Sequence, residues 1–171
     1  MAIGLLTLAA LGTLGLAATI FFGYRLPIAV SMKTHFMAAL LSTTLLVMAH
    51  SFVMFFLIAT GVEMKDLEKA AGWGDSFRRR TVALKSRIFP LLTGALLLVI
   101  ANFILGAAVH TRALPPWVHE VTAWTTLVTC LAALARSWSV LGDNNQLIAE
   151  AASRKEDSAP QPPPDVDPSN H

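Results

Sequence analysis

His50, Asn102 and Thr129 stand inside long uncharged stretches of the chain, where a polar side chain needs a partner. A neutral imidazole has two uses there. It ligates a haem iron or carries a proton, or it bridges helices through hydrogen bonds worth about 1 kcal/mol. Spacing ties the three residues together. His50 lies 13 residues before Glu63, Asn102 lies 15 after Arg87, and Thr129 lies 14 before Asp143. At about 1.5 Å of rise per residue, each sits about 20 Å from a charged boundary. His50, Asn102 and Thr129 are therefore expected to face one another and to form a cofactor-binding or hydrogen-bonding level inside a helical bundle. A haem held by two histidines needs a second imidazole at the depth of His50, and the other apolar stretches hold none there. Met48 and Met54 share the helix of His50 and cannot supply the opposite face. A haem at this level would be five-coordinate or would take its second ligand from another subunit.

A second cluster falls at the ends of the apolar stretches. His35 opens one, His110 closes another, and His119 with Glu120 opens the last. His110 and His119 lie nine residues apart across Pro115-Pro116, which brings them to a similar height. Three histidines and a carboxylate suit Zn or Cu, so His35, His110, His119 and Glu120 are the candidate metal ligands. The same imidazoles suit a haem bound edge-on near the surface. Their spacing matches no metal signature, and solvated interfacial histidines are the plain alternative. No other chemistry is legible. The chain has no Gly-rich phosphate loop, no CxxC and no Ser/His/Asp set on matching elements, and Cys130 is its single cysteine. No carboxylate lies within an apolar stretch, which argues against an ion-driven pump. The sequence therefore gives no sign of catalytic activity by the chain on its own.

The elements that must position these residues are membrane helices. The 171 residues are 54% hydrophobic and 14% charged, against about 25% charged in a soluble domain. That excludes a soluble globular enzyme, a disordered protein and a disulfide scaffold. Crossing about 30 Å of hydrocarbon takes about 20 apolar residues in a helix. Such stretches run over 3–24, 35–61, 88–110 and 119–141, the last if Arg136 snorkels to the interface. None alternates with period two, and an isolated sheet cannot satisfy its backbone in lipid. The expected fold is all-α, an integral membrane four-helix transmembrane bundle over residues 1–141. The first stretch has no Lys/Arg-bearing leader and reads as a retained helix, with Gly4, Gly12, Gly15 and Ala18 as a close-packing side. Helix two should turn Thr43, His50, Met54, Leu57 and Gly61 inward, and helix three Ala95, Asn102 and Gly106. Helix four should do so with His119, Thr122, Thr126, Thr129, Ala133 and Ser137.

Charge sets the expected orientation. Residues 62–87 hold seven Lys/Arg, whereas the other connections hold Arg25 and Lys33, and then Arg112. The positive-inside bias places 62–87 and both termini on the cytoplasmic side, in the reading of a bacterial inner-membrane protein. Arg78, Arg79, Arg80, Lys85 and Arg87 are expected to contact anionic lipid headgroups. Helix two should run past the membrane through Met64, Leu67 and Ala71 to a stop at Gly72, with Trp73 at the interface. Pro90 fits the first turn of helix three. Trp117 and Trp124 suit the outer interface, and Trp138 the inner one. Residues 142–171 should form a short polar helix from Asp143 and a disordered Pro-rich tail from Ser158.

Two functions from different classes fit this pattern. The first is a small non-catalytic accessory or structural subunit of a larger respiratory or photosynthetic membrane complex. Its partners would be the lipid bilayer and other membrane subunits, with no nucleic acid. The second is a b-type haem-binding electron-transfer subunit using His50 or the outer-face histidines. In size and outline the chain resembles the four-helix membrane anchors of respiratory enzymes that bind b-type haem, a likeness of architecture and not of motif.

Overall fold

The computed structural model describes residues 1–26 and 28–158. Four helices make up most of them: α1 Ala2–Tyr24, α2 Met32–Ala71, α3 Ser76–His110 and α4 Pro116–Asp157. No strand occurs among the described residues. Each helix is long and apolar enough to cross a membrane. α1 packs on α2 and α4, and α3 packs on the same two. α2 and α4 also touch across the diagonal, whereas α1 and α3 do not. The α1–α2 and α3–α4 connections share one end of the bundle, the two-loop end. The turn between α2 and α3 lies at the opposite, charged end.

Local chemistry sets the helix boundaries. The Ser31 hydroxyl accepts the Thr34 N–H at 3.1 Å and caps α2. Gly72, at φ 66°, ends that helix in the left-handed conformation that glycine adopts without strain. Pro116 opens α4, where its missing N–H costs nothing. The cap of α3 comes from a distance. Glu68 of α2 is 4% exposed, and its carboxylate accepts the N–H groups of Phe77 at 2.6 Å and Arg78 at 3.2 Å.

The core follows a helical period. On α3 the buried residues are Phe77, Thr81, Leu84, Ile88, Leu92, Ala95, Val99 and Asn102, spaced by threes and fours as a packing seam requires. α1 closes on α2 through two of its small residues. A Cβ added to Gly12 would stand 2.9 Å from Leu46 Cγ, and one on Gly15 would stand 3.0 Å from Ser42 Cβ. Gly4 faces open space and Ala18 is exposed, so neither serves the expected packing side.

The charged end differs most from expectation. The connection between α2 and α3 spans only residues 72–75, because α3 begins at Ser76 and the basic segment is helical. Pro90 therefore lies deep inside α3 and not in its first turn. It sits on an exposed face, where the lost backbone bond is not buried. α4 runs unbroken through Asp143 to Asp157 in place of a separate short helix. The cause is a second small core of Met64, Phe77, Leu147 and Ala151, which holds the three overlong helices together. Trp73 belongs to it, with its ring centroid 6.0 Å from that of Phe77 and the Arg154 guanidinium 4.9 Å above it. Asn144 Nδ2 donates to Thr60 Oγ1 at 3.2 Å inside the same region. The tail beyond Ser158 lies outside the described residues.

Candidate functional site

At the two-loop end the four helices part around a cavity of about 880 Å³. That volume falls within the roughly 300–1,000 Å³ of small-molecule and cofactor sites. The floor and walls are mainly apolar, with Leu16 and Ile20 of α1, Phe36 and Ala39 of α2, Phe103 of α3 and Ala123 of α4. Polar groups enter from every side, including Thr19, Ser42, Thr43, Asn102, His35, His110, His119 and Glu120.

Glycines make room for two of the imidazoles. A Cβ on Gly23 of α1 would stand 3.4 Å from His35 Cε1, and one on Gly106 of α3 would stand 3.1 Å from His119 Cε1. Each ring thus lies against the bare backbone of a neighbouring helix. The His35 ring sits beside the backbone carbonyl of Thr19, and the His119 ring beside that of Asn102. The two rings are within electrostatic reach of one another. His35 Nδ1, His119 Nδ1 and Asn102 Oδ1 are buried without a hydrogen-bond partner. Native proteins satisfy nearly all such groups, so these three atoms are free to meet water or a bound group in the cavity.

The rim is polar and charged. The Tyr24 hydroxyl donates to the Glu120 carboxylate and accepts the Trp124 indole N–H at 3.0 Å, which ties α1 to α4. His110 and Glu120 are both exposed there. Lys33 and Arg112 also line the mouth. Neither forms an ion pair among the described residues. Arg112 holds φ 60°, a left-handed conformation uncommon outside glycine, asparagine and aspartate.

Among the described residues no hydrogen bond joins His50, Asn102 and Thr129. Asn102 lines the cavity, whereas His50 does not. His50 is 1% exposed, and its Nε2 has no partner. Thr129 is half-buried and donates to the Thr125 carbonyl of its own helix at 2.8 Å, while Cys130 takes the inward position. His50 and Asn102 are both buried on their own helices, and only Thr129 yields the inward place to its neighbour. The outer-face residues fare differently, since His35, His110, His119 and Glu120 all line the one cavity. Among the described residues, however, no three His, Cys, Asp or Glu side chains are grouped as ligands of an ion.

The basic residues expected at lipid headgroups are partly engaged elsewhere. Arg80 pairs with Glu150, and Arg87 with Asp143 at 3.1 Å. The Arg80 guanidinium holds the Glu150 carboxyl below its ordinary range. Arg78 approaches Asp75 at 3.8 Å, and Arg79 is exposed. Lys85 is half-buried, and its ammonium packs over Gly61. Sequence reasoning missed Tyr24, Lys33 and Arg112 at the rim, and Glu68 and Asn144 in the charged half. None carried a local signal, and Glu68 least of all, since it lies inside α2 and caps a different helix.

No family model matches the chain, and neither the curated proteins nor the solved structures yield a match.

Proposed function

We propose that the chain is a membrane subunit that holds a b-type haem in the cavity at its two-loop end and serves electron transfer within a larger assembly. The observation that carries this reading is the approach of His35 and His119 from α2 and α4 to one apolar cavity, each with an unpartnered buried nitrogen. A haem iron needs only one or two axial protein ligands, so the lack of a three-residue metal set is no obstacle. Imidazoles packed against the bare backbone of Gly23 and Gly106 suit the task, because a ligating ring has to be held in place by what surrounds it. In this reading His35 and His119 are the axial candidates, and His50 is a packed core residue. The charged end faces the cytoplasm of a bacterial inner membrane, and the cavity opens on the far side.

The test is the visible spectrum of protein purified from native membranes. A Soret band with a sharp α-band on reduction is expected. A featureless spectrum would leave the other reading, an accessory subunit without a chromophore. That second reading draws on the charged end, where α2, α3 and α4 form a packed platform beyond their apolar stretches. Partner subunits that copurify with a colourless protein would support it.

A further inference from the structure

We infer that Lys33 and Arg112 form an acid-recognising rim that takes the two propionate carboxylates of the cavity's ligand, an inference that rests on the haem reading above. Three observations converge on it. Both cations line the mouth of the cavity and neither pairs with a carboxylate among the described residues. They stand in the first turn of α2 and just beyond α3 and are exposed, while His35 and His119 are half-buried. The cavity therefore presents apolar walls, imidazoles among them and positive charge at its exposed edge, an arrangement that suits an apolar ring with acidic tails. Arg112 adds the third point. Its φ of 60° is a conformation that glycine or asparagine adopts more cheaply. That conformation caps α3, because the Ala113 N–H returns to the Ala108 carbonyl at 2.9 Å, and the cap brings Arg112 to the cavity wall. Guanidinium and carboxylate match as a two-bonded fork, whereas Lys33 acts as a point charge. Glu120 is the one carboxylate on the cavity wall. The Tyr24 hydroxyl holds it on the α1–α4 side, away from the α2 and α3 termini that carry the cations.

The experiment titrates the purified full-length protein in detergent, freed of any pigment, with haem and with haem dimethyl ester. The Soret shift reports binding of each. The ester keeps the iron and the ring but has no carboxylates. Wild type is expected to bind haem roughly tenfold or more tightly than the ester, as loss of charge-assisted bonds requires. Lys33→Gln with Arg112→Gly should abolish that preference and leave ester affinity unchanged. Glycine suits the backbone at 112, so a folding defect would not explain the loss, and unaltered ester binding is the internal control. Equal binding of haem and ester by wild type would overturn the rim while leaving the haem reading standing; the two cations would then meet only lipid phosphates. A preference that survives in the double variant would also overturn it. Failure of both ligands to bind would remove the haem reading, and the rim with it.

Discussion

His50 and His119 show how one side chain takes opposite roles from its surroundings. His119 borders a large cavity and lies on a glycine, whereas His50 is enclosed in the core with an unpaired Nε2. An unpartnered buried polar atom costs about 1–3 kcal/mol. His50→Leu should therefore be neutral or slightly stabilising in thermal unfolding, and it should leave any bound chromophore in place. A large loss of stability or of pigment in that variant would show that His50 carries an interaction. Gly106→Ala should act in the opposite sense. Its new Cβ would crowd the His119 ring at 3.1 Å, so the ring must move. An altered absorption spectrum with little change in unfolding midpoint is expected. The histidines of this cavity were legible as a group because they cluster at helix ends. Their pairing across α2 and α4 was not, since spacing along a chain says nothing about azimuth.

At the scale of elements, the four helices and the stop at Gly72 follow directly from hydropathy and from one glycine. The starts of α3 and the course of α4 do not. A hydropathy window ends where charge begins, but helices continue wherever they find packing, and Phe77, Leu147 and Ala151 supply it. Glu68 holds that region together as a cap delivered from another helix. Glu68→Ala should cost about 1–2 kcal/mol, in line with loss of a capping group. Glu68→Gln keeps an acceptor oxygen and should cost less. Denaturant or thermal unfolding in detergent measures both. The α1–α2 contact offers a second test. Gly12→Leu forces a side chain into Leu46, and overpacking of this kind costs about 1–3 kcal/mol. Gly4→Leu meets open space and should cost little by the same assay.

Taken whole, the molecule is tight at its charged end and open at the other. The charged end is tied by Arg80–Glu150 and Arg87–Asp143, both exposed pairs of small worth. Glu150 has its pKa lowered by Arg80. Its contribution is therefore present above the ordinary carboxylate pKa and is lost as pH falls through the lowered value. Glu150→Gln should slightly reduce the unfolding midpoint at neutral pH and not in acid, and high salt should erase the difference. The open end is where the four helices part around the cavity, at the cost of packing energy. The central claim is that His35 and His119 hold a haem in that room. Reduced-minus-oxidised spectra of wild type, His35→Ala, His119→Ala and His50→Ala, purified at equal yield from the same membranes, test it most directly. The α-band should be present in wild type and His50→Ala, and lost or shifted in the two cavity variants. An α-band lost only in His50→Ala, or absent from wild type, would contradict the account.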